Sequence, residues 1–140
     1  MFRYAMIFAL VICSLNSGAA QVNDDVTLTV HVDGPITAKG TLQLEIYTTK
    51  GDWLEKASRV LRIDLTQSKE RSFKVEGLKP GPYAMVVIQD ENNNDKLDMG
   101  MMGPEELYGF SNDAKGMFGP PSFDDARIEI LEDRTIKIKL

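Results

Sequence analysis

From Val26 onward apolar and polar residues alternate with a period of two, the spacing at which an extended chain sends side chains to opposite faces. "VTLTVHV" sets Val26, Leu28, Val30 and Val32 on one face and Thr27, Thr29 and His31 on the other. "TLQLEIY" repeats this with Leu42, Leu44 and Ile46 inward, "VLRIDL" with Leu61, Ile63 and Leu65, and "SFKVEGL" with Phe73 and Val75 against Lys74 and Glu76. Each reads as a half-buried strand.

"YAMVVIQ" breaks the alternation, because Tyr83, Met85 and Val87 on one face meet Ala84, Val86 and Ile88 on the other. A strand apolar on both faces belongs in the middle of a sheet, covered on each side. "ARIEIL" and "TIKIKL" add two more strands, with the turn between them near Glu132 and Asp133. Seven short strands separated by turn signals, with no convincing helical segment, predict an all-β fold, an antiparallel seven-stranded β-sandwich.

The connection from about residue 90 to 121 is too long for a simple turn, since structureless loops beyond about 12–15 residues are uncommon in compact domains. It carries Leu97, Leu107, Tyr108, Phe110, Met117 and Phe118. That apolar content predicts an ordered loop folded back on the sheets, carrying whatever specificity the protein has.

The loop begins with "DENNNDKLD", Asp90 to Asp98. Numbered as a twelve-position cation loop, Asp90, Asn92 and Asn94 occupy positions one, three and five, the carbonyl of Lys96 position seven, and Asp98 position nine. Five oxygens can then converge on one hard cation. Position six, usually glycine in a left-handed turn, is Asp95, and position twelve is Met101 in place of a bidentate glutamate. Glu105 or Glu106 folding back, or water, would have to replace it. Two carboxylates predict weak, structural calcium binding, with a dissociation constant of ~10⁻⁴ to 10⁻³ M. The competing reading is a solvated turn in which the same side chains cap their own backbone.

Aromatic residues offer a second chemistry. Trp53, Tyr108, Phe110 and Phe118 could stack on sugar rings, as in carbohydrate-binding domains of the cell envelope. Alternatively they anchor the loop in the core, where each would bury about 150–250 Å². Of these, Trp53, in a turn beside Gly51 and Asp52, is expected to be the most exposed. Catalysis finds no constellation. His31 alternates with threonines on a solvated face, Ser111 lacks the glycines of a nucleophile elbow, and the neighbouring pairs Glu105–Glu106 and Asp124–Asp125 are not a glycosidase signature, since sequence neighbours seldom face each other across a substrate. The protein is therefore expected not to be an enzyme.

The first twenty residues combine Arg3, an apolar run from Tyr4 to Leu15, and the small residues Gly18 and Ala20. This predicts a secretory signal at 1–20, cleaved after Ala20, and a single domain over 21–140. The one cysteine, Cys13, falls inside it, so an exported chain would have neither a disulfide framework nor a cysteine-liganded zinc. Cleavage removes Arg3 as the single charged side chain, moving the net charge from −5 to −6. With basic residues scattered, nucleic acid is not an expected partner. An envelope protein or polysaccharide is expected instead, in the periplasm or outside the cell, with no membrane span after cleavage.

Taken together, "GLKPGPYAMVVIQDENNNDKLD" and "YGFSNDAKGMFGPPSFDDA" resemble an uncharacterised family of exported bacterial proteins, domain-of-unknown-function family 2141 (DUF2141). In the family the acidic loop reads "DENGNGKLD", so Asn93 and Asp95 stand here where the family has glycine. "LKPGPY", Leu78 to Tyr83, is similar to the turn entering a central strand in transthyretin-like and carboxypeptidase-regulatory-like sandwiches. The resemblance implies a prealbumin-type architecture and an exported protein, and it implies no activity.

Overall fold

The structure is a computed structural model, and it describes residues 24–140. The predicted signal segment, 1–20, and Cys13 with it lie outside the described residues.

All seven strands appear where the alternation places them. They are β1 (Val26–Asp33), β2 (Thr41–Tyr47), β3 (Arg59–Asp64), β4 (Ser72–Leu78), β5 (Gly81–Asp90), β9 (Ile128–Ile130) and β10 (Arg134–Lys139). The long connection adds β6 (Met99–Gly100), β7 (Gly103–Pro104), β8 (Tyr108–Phe110), a 3-10 turn over Ser111–Asp113 and a one-turn helix α1 (Phe123–Ala126). Among the described residues no helix is long and apolar enough to cross a membrane.

One sheet has the order β10-β1-β4 and another the order β3-β2-β5-β8, with β9 also pairing β5 through Gly81–Tyr83. The inward residues of both sheets form one core, in which Leu28, Val30, Leu42, Leu44, Val75, Met85, Val87 and Ile138 are fully buried. Each such side chain contributes about 1.5–3 kcal/mol by leaving water. The expectation of antiparallel pairing throughout needs one correction, because β1 and β10 run parallel, Leu28 opposite Arg134 through Asp33 opposite Lys139. Period-two alternation decides which face a residue takes and carries no information on the direction of the neighbouring strand.

Residues Tyr83 to Asp90 of β5 are buried without interruption. Tyr83, Met85 and Val87 enter the main core, while Ala84, Val86 and Ile88 join Tyr47, Phe110, Phe123 and Ala126 in a second cluster on the other face of the sheet. The long connection therefore roofs the outer face of β2 and β5. The β1–β2 segment is held by Gln89, whose amide donates to the Thr37 hydroxyl at 2.6 Å and the Lys39 carbonyl at 3.1 Å. Beside it Gly40 has φ 64°, and a Cβ there would sit 1.9 Å from the Asp90 carbonyl oxygen, so no other residue fits.

Candidate functional site

The acidic loop starts at the buried end of β5. Asp90 is 2% exposed, and its carboxylate accepts from the backbone N–H of Asp95 at 2.7 Å and of Asn94 at 3.2 Å. Asn92 Oδ1 accepts from Asn94 N at 3.1 Å, and Asn94 Oδ1 from Lys96 N at 2.9 Å. These are Asx turns, and they wind the loop tightly. Asn93 and Asp95 take left-handed φ values of 58° and 60°. Short polar side chains tolerate that region best after glycine, so both residues suit it.

The same winding brings the side chains of Asn92, Asn94 and Asp98 together, while the Asp90 carboxylate caps the backbone of Asn94 and Asp95. Asn92 Nδ2 and Asn94 Nδ2 both donate to the Asp98 carboxylate, the latter at 2.8 Å. Glu106 does fold back, though as a brace: its carboxylate accepts from Glu91 N at 2.9 Å and Asp98 N at 3.1 Å. Among the described residues no three His, Cys, Asp or Glu side chains cluster as a metal centre. The loop's donor set is two carboxylates, two amides and the Lys96 carbonyl.

The aromatic residues separate into two groups. Trp53, expected to be the most exposed, is half-buried: its ring lies 5.0 Å from Tyr47 and 5.9 Å from both Phe110 and Phe123, and Nε1 donates to the Pro121 carbonyl at 2.9 Å. An indole committed on edge and face in this way anchors the loop. Phe110 is likewise buried beneath it. Tyr108 is 37% exposed and Phe118 98% exposed.

The "YGFSN" and "GPPSFDDA" segments are mutual staples. Ser111, fully buried, accepts from Met85 N at 2.8 Å and donates to the Ala126 carbonyl at 2.5 Å. Asn112, at φ 60°, donates to the Asp125 carbonyl at 2.8 Å. A Cβ on Gly109 would stand 2.0 Å from the Lys139 carbonyl oxygen, so glycine lets β8 close on β10. Entry into β9 is fixed by the Ser122–Asp125 capping box of α1, after trans bonds at both prolines.

Between the outer face of β2 and the roofing loop runs a groove of about 630 Å³, lined by Glu45, Tyr47, Val86, Ile88, Tyr108 and Phe110 among others. A second groove of about 800 Å³ opens on the other side of Tyr108, towards Lys139 and Leu140. The alternation assigns the outer face of β2 to solvent, which hides Glu45 and Tyr47 as site residues. The signal was present in β5, whose second apolar face requires a cover that its neighbour must share. Glu45 is half-buried and accepts from Gln43 Nε2 at 2.6 Å and from the Tyr47 hydroxyl at 2.5 Å. Burial first, then the hydrogen bond and charge of Glu45, push the Tyr47 hydroxyl well above the usual tyrosine range.

His31 stays on the solvated face, its Nδ1 2.9 Å from the Ser72 hydroxyl.

No curated protein matches the chain. Among solved structures it is similar to a DUF4876 family protein from Bacteroides thetaiotaomicron VPI-5482, at 15% identity and a TM-score of 0.41, over 81% of this chain and 22% of that one. The chain thus spans about a fifth of that protein's length. A family model covers residues 30–139, and the chain belongs to the family it describes, the uncharacterized proteins conserved in bacteria of DUF2141.

Proposed function

We infer that the protein is an exported, non-catalytic binding or interaction module, periplasmic or secreted. Its frame is a seven-stranded sandwich of prealbumin or immunoglobulin-like type, and a weak calcium site organises its long loop. The frame is supported by Tyr83, near the start of β5, whose hydroxyl donates to the Lys79 carbonyl at 2.6 Å. Sandwich domains use such a tyrosine to lock the corner between strands.

The observation that carries the cation reading is the convergence of Asn92 and Asn94 on Asp98, beside the buried Asp90. Each asparagine Oδ1 that accepts one backbone N–H keeps a second lone pair. A cation held by Asp90, Asn92, Asn94, Asp98 and the Lys96 carbonyl would displace the two amide–Asp98 bonds, each worth about 1 kcal/mol. That cost keeps the affinity weak, and the ion's role structural.

A melt of the protein in chelator, in millimolar calcium and in millimolar magnesium tests this. A cation at ten times its dissociation constant adds about 1.4 kcal/mol, a rise of several degrees. A calcium-selective rise, abolished by Asp90→Ala with Asp98→Ala, supports the loop; equal melting in all three solutions leaves it a polar turn. Export is tested by N-terminal sequencing, where a start at Met1 defeats it.

The carbohydrate reading retains Tyr108 and Phe118, the aromatic candidates with free surface, and is tested by polysaccharide pull-down with Tyr108→Ala and Phe118→Ala. Binding unaffected by either substitution removes it.

A further inference from the structure

The geometry points to the groove over β2 as a binding site for a small organic amine, its ammonium group held by the Glu45 carboxylate and its apolar body by the surrounding aromatic rings. The inference deepens the binding-module reading and rests on it, though not on the cation loop.

Glu45 makes no ion pair among the described residues. It sits half-buried on the outer face of β2 and lines the groove. Two neutral donors, Gln43 Nε2 and the Tyr47 hydroxyl, orient its oxygens without neutralising them. Gln43 itself is 3% exposed, and its Oε1 has no hydrogen-bond partner among the described residues. Its amide cannot be turned to help, because the carboxylate requires the Nε2 end. Gln43 thus lies behind Glu45 and outside the groove lining, so on the floor the Glu45 carboxylate is the charged acceptor, with no cationic donor paired to it among the described residues.

The walls complete the chemistry. Tyr47, Tyr108 and Phe110 line the groove, Tyr108 with the most exposed ring, and Leu54, Val86 and Ile88 add aliphatic lining. Aromatic faces attract an ammonium group, more strongly once it is desolvated. The volume lies within the usual 300–1,000 Å³ of small-molecule sites, about right for an amine with one ring or a short chain. Other charges on the groove are Asp95 and Lys96, both at its exposed rim. Asp95 is paired with Arg62 at 2.9 Å. Lys96 is free of ion pairs among the described residues and is the competitor the test must address.

Titration of the protein with phenethylamine, phenethyl alcohol and phenylpropionate is read by the fluorescence of Trp53, the single tryptophan, which packs on Tyr47 and Phe110. Saturable binding of the amine, at least about tenfold tighter than the alcohol and lost in Glu45→Gln, is expected. Equal binding of amine and alcohol overturns the inference. Preference for phenylpropionate also overturns it, by making Lys96 the recognising group. If Glu45→Gln melts early, Lys96→Met serves in its place: tighter amine binding upholds the site and loss of binding overturns it. A lysine peptide binding in place of the free amine would relocate the same chemistry to a protein partner and overturn the small-molecule claim.

Each titration is run in chelator and in calcium. Amine binding without a calcium-dependent melt removes the cation loop and leaves this site, and the reverse removes this site alone. Conversion of the amine, where recovery unchanged is expected, overturns the non-catalytic module.

Discussion

The indole of Trp53 donates to the carbonyl of Pro121 at 2.9 Å across 68 residues of chain. Through that bond and its ring contacts the β2–β3 turn clamps the far end of the long loop, where the "GPPSF" segment enters α1. Trp53→Phe keeps most of the ring contact and removes the hydrogen bond. We expect a loss of about 1–2 kcal/mol and a melting temperature several degrees lower. Unchanged urea unfolding would show that the bond contributes nothing.

Ser111 supports the other half of the loop from inside. Its hydroxyl satisfies Met85 N and the Ala126 carbonyl at a fully buried position. Ser111→Ala leaves both groups without their partner, at a cost of about 1–3 kcal/mol. Amide exchange at Met85 should accelerate in parallel. A loss under about 0.5 kcal/mol with unaltered exchange contradicts the staple.

Asp95 separates backbone from side-chain effects in the acidic loop. Its φ of 60° favours glycine, while its ion pair with Arg62 is exposed and worth about 0–1 kcal/mol. Asp95→Gly should therefore change stability by less than about 1 kcal/mol, whereas Asp95→Val, strained in the left-handed region, should cost about 1–2 kcal/mol. Equal losses in equilibrium denaturation would mean that the ion pair, and not the turn, matters.

Tyr47 gives the protein an alkaline limit. Its hydroxyl is raised in the folded state by burial and by Glu45, with a smaller push from Glu55. A raised folded value favours the neutral form on folding. The associated stability is fully present below the unfolded tyrosine value of about 10 and falls away as pH rises above it. Tyr47→Phe should flatten that alkaline loss in pH-dependent denaturation. A loss as steep as in the parent protein would assign it to other groups.

The sequence by itself determined the strands and their faces. Residues such as Leu28, Leu44, Val75 and Ile138 repeat at the period of an extended chain, and a period-two pattern can bury its apolar set on one side only. It also marked β5 as covered twice, and it numbered Asp95 at the position where such loops turn left-handed, a position usually given to glycine that Asp95 fills at φ 60°.

Tertiary structure alone decided the rest. The parallel pairing of β1 with β10, the withdrawal of Trp53 and Phe110 into a buried cluster, and the groove that the long connection builds over Glu45 all depend on contacts between residues distant in the chain. Local patterning reports which face a side chain takes. What covers that face is set by where a thirty-residue connection finds apolar surface, and here it found the outer side of β2 and β5.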